Sequence, residues 1–435
     1  MEHGPNILFI CTDQQSRTAM GAAGTPWMQT PHMDRLAAQG VRFTDAYCSA
    51  PVCGPSRACL LTGRMSHDHG VLVNGLSLRQ GVDNFGQLLQ DAGYDTAWSG
   101  RWHLPEPYPT QSNPLPGFEA LLPDSFRQLP RKQLGEVTDA PVTDAAIDFL
   151  KRDHTRPFCL GVALCNPHDI CYWIMKADAH VATDDLPPLP TNFARDPAES
   201  EFIDIGRRRD HYGQENTATT DWSAHRWQAY LAEYARLTTL VDAQIGRLLT
   251  ALDQSGLSEN TVVICTSDHG EGMAAHELVV KLNLYEPAVS VPLLLRGPGV
   301  PVGEIRSQLV SGVDILPTIC QIGGTEAPTD IAGRSLWPAI TEQVAGREFV
   351  VSQLYPDTED LELSGRMVRS RDYKYLCFNS GKRPEMLFDL RTDSAEQHNL
   401  ALKADGAVAL KQHRNMLRRW QDSSADDFVL SQAGS

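Results

Sequence analysis

The sequence lacks any apolar run long enough to span a bilayer, and its N-terminus lacks the basic segment and extended apolar stretch of a secretory signal. It is also short of positive charge, because 38 Lys and Arg residues face 54 Asp and Glu residues and leave a formal net charge of -16. This acidic balance disfavours non-specific binding to nucleic acids and to membrane surfaces. We therefore expect neither partner, and a cytoplasmic location, or a periplasmic one for a chain trimmed after export.

The ten cysteines are neither dense nor regularly spaced, which argues against a disulfide framework and a cysteine-based zinc site. Cys11, Cys159 and Cys265 lie inside apolar runs, as buried thiols commonly do. With 435 residues, of which 42% are hydrophobic, the chain is long enough for a large core and for two or three domains. These features leave the oligomeric state open.

Short apolar runs alternate with helical patterns along most of the chain. The longest helical pattern spaces its apolar residues by three and four between Trp227 and Leu252 and ends before Gly256. The apolar runs end in turn or polar residues, which predicts buried strands of a largely parallel sheet. This alternation predicts an α/β sandwich around a central, mostly parallel sheet. The predicted strands are 6–12, 157–164, 261–268, 291–297 and 348–353.

The pattern changes after about Leu336, where hairpin-like runs replace the alternation of strands and helices. Residues 366–379 and 386–393 predict strands of a small antiparallel sheet, and a helix is predicted near 403–421. We therefore expect two domains, which are a large N-terminal domain over 1–336 and a small α+β subdomain over 337–435.

Two segments rich in Pro, Asp, Asn and Arg, 104–135 and 170–222, are too long for simple connections. They predict functional loops over a site. The second loop contains the basic cluster Arg207, Arg208 and Arg209, a weak candidate for contact with a second anion on a substrate. The alternative for this cluster is a solvated run of charges.

The stretch APVCGPSRACLLTGRMSH places Cys53 at a predicted helix start, with Pro55 in the first turn. Free backbone N–H groups and the helix dipole make such a position suited to anions. Arg57 follows one turn later on the same side, where its guanidinium can bind an oxyanion. For an isolated cysteine, a buried structural thiol is the commoner alternative.

Residues 53–64, CGPSRACLLTGR, match the sulfatase signature C-x-P-S-R-x-x-x-L-T-G-R at every fixed position. Blocks resembling other family landmarks run nearly end to end, among them TPHMDRLAAQGVRFTDAYC, GYDTAWSGRWHL, TSDHGEG and MLFDLRTDSAEQHNL. The chain thus resembles the type I, formylglycine-dependent sulfatases of the alkaline phosphatase superfamily. The resemblance implies an alkaline-phosphatase-like sandwich whose larger domain is catalytic. It also implies oxidation of Cys53 to formylglycine by a formylglycine-generating or anaerobic sulfatase-maturating enzyme.

A metal site is predicted where two strands end. Asp13 closes the first strand and Asp268 a later one, and the carboxyl ends of parallel strands converge on one edge of a sheet. Oxygen ligands favour Ca²⁺, and a histidine admits Mn²⁺ as the alternative. Gln14 stands where the family often has Asp, and by position alone Asp13 could equally be a loop or cap residue. The residues expected to hold one divalent metal are Asp13, Gln14, Cys53 in its modified form, Asp268 and His269.

The resemblance implies four more catalytic residues besides the Cys and Arg of the signature. Arg101 replaces the family's Lys in its Lys-Trp-His block and is expected at the sulfate, together with Lys281. His103 is expected to take a proton during sulfate release, and His168, in the segment NPHD, to face the leaving oxygen. His276 is a weaker candidate for substrate contact.

These features predict a sulfuric-ester hydrolase for a small sulfated carbohydrate, either a small molecule or an oligosaccharide. One alternative is a phosphonate monoester or phosphodiester hydrolase, since such relatives share formylglycine and the Asp-Gln and Asp-His metal pattern. The other is an inactive family member that serves as a binding module.

Overall fold

The first strand of the chain is buried along its whole length. The computed structural model describes residues 4–104, 115–122, 134–175, 186–208, 219–342, 344–358 and 360–431. Its strands are β1 Asn6–Asp13, β2 Val41–Phe43, β3 Ala46–Tyr47, β4 Asp95–Gly100, β5 Glu119–Ala120, β6 Phe158–Pro167, β7 Thr261–Ser267, β8 Leu293–Arg296, β9 Glu304–Arg306, β10 Val310–Ser311, β11 Phe349–Leu354, β12 Gly365–Ser370, β13 Tyr373–Phe378 and β14 Glu385–Asp389.

The helices that the structure describes cover both faces of the large central sheet, and the last of them follows the C-terminal strands. They are α1 Pro31–Ala38, α2 Cys53–Thr62, α3 Ser66–His69, α4 Phe85–Asp91, α5 Leu134–Leu150, α6 Ile170–Ile174, α7 Asp204–Arg208, α8 Ala224–Gln254, α9 Glu286–Val289, α10 Ile315–Ile322, α11 Trp337–Thr341 and α12 Ala407–Ser424. Among them, none is both long and apolar enough to cross a membrane.

The central sheet has the strand order β5-β4-β6-β1-β7-β8-β2-β9. Its paired neighbours run parallel except at β8, which is antiparallel to both β7 and β2. Side chains of β1 alternate between the two faces. Leu8 and Ile10 pack with residues of α1, α5 and α8, whereas Ile7 and Phe9 pack with residues of α2, α4 and α10. The predicted α/β sandwich is confirmed.

The carboxyl ends of four neighbouring strands lie at one edge of the sheet. In the register of β1, Thr12 pairs with Ser267 of β7 and Asp13 pairs with Pro167 of β6. Gly100, the last residue of β4, pairs with Ala163 of β6. The residues that follow these strands are therefore neighbours, although they come from distant parts of the chain.

A four-stranded antiparallel sheet, β11-β12-β13-β14, forms the C-terminal part as the hairpin patterns predict. One face, with Leu376 and Phe388, joins the core of the large sheet, and the other face, with Tyr375 and Leu387, packs with residues of α12. The domain boundary after residue 336 remains a prediction.

Assigning 348–353 to the central sheet is wrong, because β11 pairs with β12. The apolar residues Phe349, Val350 and Val351 follow one another because both faces of the C-terminal sheet are covered, which mimics a buried parallel strand. The central strand β4, with the mixed sequence DTAWSG, escapes detection because Asp, Ser and Gly interrupt its apolar character.

The predicted loops 104–135 and 170–222 are described only in part. Residues 105–114, 123–133, 176–185 and 209–218 lie outside the described residues. The described part of the first loop contains β5 and the first residues of α5. The described part of the second loop contains the whole of α6 and α7. A role for these loops over the site stays a prediction.

Candidate active site

Cys53 is the first residue of α2 and is 1% exposed. Val52 before it is extended, and Pro55 lies in the first turn, where a missing N–H removes no intrahelical bond. The Cys53 Sγ lies 3.1 Å from His269 Nε2, 3.1 Å from Lys281 Nζ and 3.6 Å from Asp13 Oδ1. Burial and Asp13 oppose ionisation, but Lys281 and His269 outweigh them and lower the pKa of the thiol. The predicted nucleophile precursor thus lies in a cationic pocket.

Arg57 joins the two predicted metal-ligand carboxylates. Its Nη2 donates to Asp13 Oδ2 and its Nε to Asp268 Oδ2, both at 2.9 Å, and its Nη1 donates to the carbonyl of Arg101 at 2.8 Å. Although burial opposes it, the positive charge of Arg101, together with those of Arg57 and Lys281, holds the pKa of Asp13 well below its ordinary value. Arg57 therefore orients the carboxylates.

Four buried ligand atoms lie close enough to hold one metal ion. They come from Asp13, Cys53, Asp268 and His269 and all lie within 4.8 Å of one another. His269 Nδ1 lies 2.8 Å from the carbonyl of Gly270, to which it can only donate, so Nε2 offers its lone pair to the cluster. Two carboxylates and an imidazole suit a hard divalent cation, so these residues fit the expected metal.

Gln14 is fully engaged beside this cluster. Its Oε1 accepts a hydrogen bond from Lys281 Nζ at 2.6 Å, and its Nε2 donates to Glu271. The phenol of Tyr234 donates to the Gln14 carbonyl at 2.8 Å and so fixes the chain after β1. Gln14 therefore positions Lys281 in this structure, and its role as a metal ligand stays a prediction.

Arg101 and the two predicted catalytic histidines complete the group. Arg101 Nη1 lies 2.9 Å from Asp13 Oδ2, and its Nη2 donates to His103 Nε2 at 3.2 Å. Burial and the charge of Arg101 hold the pKa of the His103 imidazole well below its ordinary value. Burial and the charge of Lys281 do the same for His168. Both rings are therefore neutral at pH 7. Among the described residues, neither Nδ1 has a hydrogen-bond partner.

A family model for sulfatases matches residues 5–325 of this chain. The chain belongs to the sulfatase family. A second model, described as N-sulphoglucosamine sulphohydrolase, C-terminal, matches residues 274–423 of this sulfatase. The predicted resemblance is confirmed, and the protein is a sulfuric-ester hydrolase. A metal and formylglycine are properties of this family in general.

Two sulfatases of Bacteroides thetaiotaomicron resemble this sulfatase over nearly its whole length. A Delta 4,5-hexuronate-2-O-sulfatase is 30% identical over 98% of this chain and 90% of its own. An N-acetylglucosamine-6-O-sulfatase is 29% identical over 97% of this chain and 87% of its own.

The fold is shared with solved structures. A 2-O GAG sulfatase has a TM-score of 0.87 at 28% identity and covers 99% of this chain and 95% of its own. A phosphonate monoester hydrolase of Agrobacterium radiobacter has a TM-score of 0.80 at 24% identity, with 97% and 96% coverage, and shows the common fold alone.

The weaker candidates lie apart from the Cys53 cluster. Arg207 is 1% exposed, forms two hydrogen bonds with Glu199, and donates from Nε and Nη2 to the carbonyl of His276 at 2.9 and 2.7 Å. The fully buried His276 ring stacks on Tyr285 with centroids 3.9 Å apart. The side chain of Arg208 is 76% exposed and pairs with Asp204, and Arg209 lies outside the described residues.

Three residues important for the site's geometry escape sequence reasoning. Glu271 accepts from Gln14, Tyr230 and the Val280 N–H, and its place inside TSDHGEG was the available signal. Tyr234 and Asp139 carry no local signal, because each acts on backbone groups far away in the sequence.

We expect Arg207→Met to destabilise the protein by about 3–5 kcal/mol, because it leaves the buried Glu199 carboxylate without its cation. Arg208→Met, the matched control from the adjacent exposed position, should change stability little. Denaturant unfolding of both variants measures the difference. An Arg207→Met variant with wild-type stability and only a raised KM would instead support the substrate-contact prediction.

Proposed function

We propose that this sulfatase removes a sulfate group from a saccharide, with Cys53 matured to formylglycine and one divalent cation beside it. The observation that carries the proposal is the arrangement around Cys53 Sγ, with His269 and Lys281 both at 3.1 Å at the start of a helix. A thiol with a purely structural role does not need an imidazole, an ammonium group and two carboxylates around it. A reacting group that binds an anionic substrate and a metal does need them.

The charges favour an anionic substrate. In the part of the chain that the structure describes, five charged side chains contact Cys53 or one another, and three of them, Arg57, Arg101 and Lys281, are cationic. They exceed the carboxylates Asp13 and Asp268 by one positive charge, and a divalent cation adds two more. A chain that is strongly acidic as a whole therefore surrounds Cys53 with positive charge, as a sulfate monoester requires.

We propose that Asp13, Asp268 and His269 hold the cation, Ca²⁺ first and Mn²⁺ as the alternative, with the modified Cys53. A formylglycine hydrate supplies paired hydroxyl groups, which divide ester cleavage and sulfate release into two easier steps. A divalent cation held by these residues would act as a Lewis acid towards the ester and would favour deprotonation of the attacking hydroxyl. Whether Gln14 joins these ligands depends on whether its Oε1 leaves Lys281.

The histidines have separate tasks in this proposal. His103 is proposed to take a proton at Nε2 once Arg101 turns from this atom to the bound sulfate. In this structure burial and Arg101 hold the pKa of the imidazole well below its ordinary value. Neutral His168 binds the leaving oxygen as a hydrogen-bond donor and gains basicity when the negatively charged ester arrives. Lys281 is the second group able to stabilise that oxygen. The Nδ1 atoms of His103 and His168 are buried and have no hydrogen-bond partner among the described residues, so a bound substrate can satisfy them.

The saccharide substrate is supported by the relatives, which are named for sulfated hexuronate and N-acetylglucosamine. A small saccharide or oligosaccharide fits these names better than an aryl sulfate does. Modification of Cys53 requires a formylglycine-generating or anaerobic sulfatase-maturating enzyme as a transient partner. The cytoplasmic location remains a prediction from the sequence.

Exhaustive chelation should abolish turnover, and Ca²⁺ should restore it better than Mn²⁺. Asp268→Asn should lose both metal and activity, since it removes one anionic ligand. Asp242→Asn is the control, because Asp242 of α8 is also a buried carboxylate that accepts two backbone N–H bonds, but those donors are at the start of α1. Metal analysis beside kinetics is the measurement, and full activity of a metal-free protein would refute the metal site.

The proposed chemistry predicts a larger kcat/KM for nitrophenyl sulfate than for a phosphonate monoester with the same leaving group. A phosphonate replaces one oxygen by carbon, which leaves a buried donor unpaired at a cost of about 1–3 kcal/mol. This corresponds to about 5- to 150-fold in kcat/KM.

Arg101→Lys should lower the ratio of kcat/KM for the sulfate to kcat/KM for the phosphonate, because the guanidinium offers more hydrogen-bond donors than an ammonium group does. Arg152→Lys, an exposed arginine before β6 and so at the opposite edge of the sheet, should leave this ratio unchanged. A higher kcat/KM for the phosphonate would overturn the sulfatase assignment in favour of phosphonate hydrolysis.

A further inference from the structure

The turn that carries His168 is attached to a helix by a buried carboxylate. β6 ends at Pro167, and the N–H groups of Cys165 and Asn166 donate to Asp139 of α5 at 2.6 and 3.0 Å. Asp139 is 3% exposed, so water does not readily replace these bonds. Its carboxylate thus fixes the backbone two and three residues before His168.

A second carboxylate makes the reverse connection. Asp169, the residue after His168, accepts at Oδ2 from the N–H groups of Gly135 and Glu136 at 2.8 and 3.2 Å. Those groups belong to the first turn of α5, where backbone donors lack intrahelical partners. The helix therefore holds the turn through Asp139, and the turn holds the helix through Asp169.

The packing between these two segments leaves little freedom. A Cβ at Gly135 would overlap the side-chain amide of Asn166, so α5 approaches the turn as closely as a glycine allows. Cys165 Sγ lies 3.6 Å from Arg101 Nη1, which places the turn beside the catalytic group. A shift of this turn moves His168 relative to the bound ester, and small displacements of a reacting group reduce rates strongly.

We propose that Asp139, with Asp169 as its counterpart, is a positioning residue that sets the place of His168 in the reaction. The proposal rests on the proposed function, in which His168 meets the leaving oxygen. Asp139 touches neither substrate nor metal in this role and acts through the turn alone.

A double-mutant cycle tests this role. We expect Asp139→Asn to lower kcat by about 10- to 100-fold, because the amide can accept at only one of its two ends. In the His168→Ala background the same change should cost little more, since the group that it positions is gone. Losses that multiply fully in the double variant would overturn the proposal.

Asp242→Asn is the matched control, because it removes the same kind of bond from the N–H groups of His32 and Met33 at the start of α1, which belong neither to α5 nor to the turn of His168. Its effect, whatever its size, should be independent of His168. Unfolding curves of both Asn variants separate lost stability from lost positioning. If Asp139→Asn fails to fold, the cycle with Asp169→Asn tests the same connection, and additive losses there overturn it.

The cycle uses whichever ester the wild type hydrolyses fastest, sulfate or phosphonate. A wrong substrate class therefore shows itself in the wild-type rates, whereas a wrong role for Asp139 shows itself in the coupling. The two failures are distinguishable.

Discussion

The site depends on one buried guanidinium that keeps two carboxylates together. Asp13 ends β1 and Asp268 follows the neighbouring parallel strand β7, so the register of the sheet forces two negative charges side by side in a buried place. Arg57 pairs with both at 2.9 Å and makes this arrangement tolerable before any metal binds. Because α2 begins with Cys53 and carries Arg57 one turn later, a single helix supplies the reacting residue and the cation that orders its surroundings.

The segments that bring the remaining groups are held by buried contacts of their own. Lys281 lies in a stretch where Met273, Ala274, His276 and Val280 all have positive φ, which is unfavourable for side chains with a Cβ. Arg207, through the carbonyl of His276, and Glu271, through the N–H of Val280, hold this stretch in place. Arg207 and His276, which were predicted to contact substrate, thus help to fix the position of Lys281 beside Cys53.

Sequence patterns were informative where the signal is local. The run before Asp13, the long amphipathic helix and the signature around Cys53 each lie within one element, and each was predicted in its correct place. Parallel strand ends also predicted that Asp13 and Asp268 meet, because that rule concerns topology rather than contacts.

What the sequence did not reveal depends on contacts between distant residues. Asp139 meets the end of β6, and Tyr234 meets Gln14, at sequence separations that no periodicity records. Arg207 resembles a surface charge because burial with Glu199 leaves no mark on the local sequence. The strand 348–353 was assigned to the wrong sheet for the same reason, because the sequence of a strand does not specify which strand it pairs with.

The central claim is that Cys53 becomes the reacting group only after conversion to formylglycine. The most direct measurement is mass spectrometry of the tryptic peptide Phe43–Arg57, compared with specific activity across preparations made with and without a maturation enzyme. Cys48 in the same peptide provides an internal thiol reference. The account predicts that activity rises in proportion to the aldehyde fraction at Cys53 and vanishes with it. A fully active preparation that contains only thiol at Cys53 would contradict it.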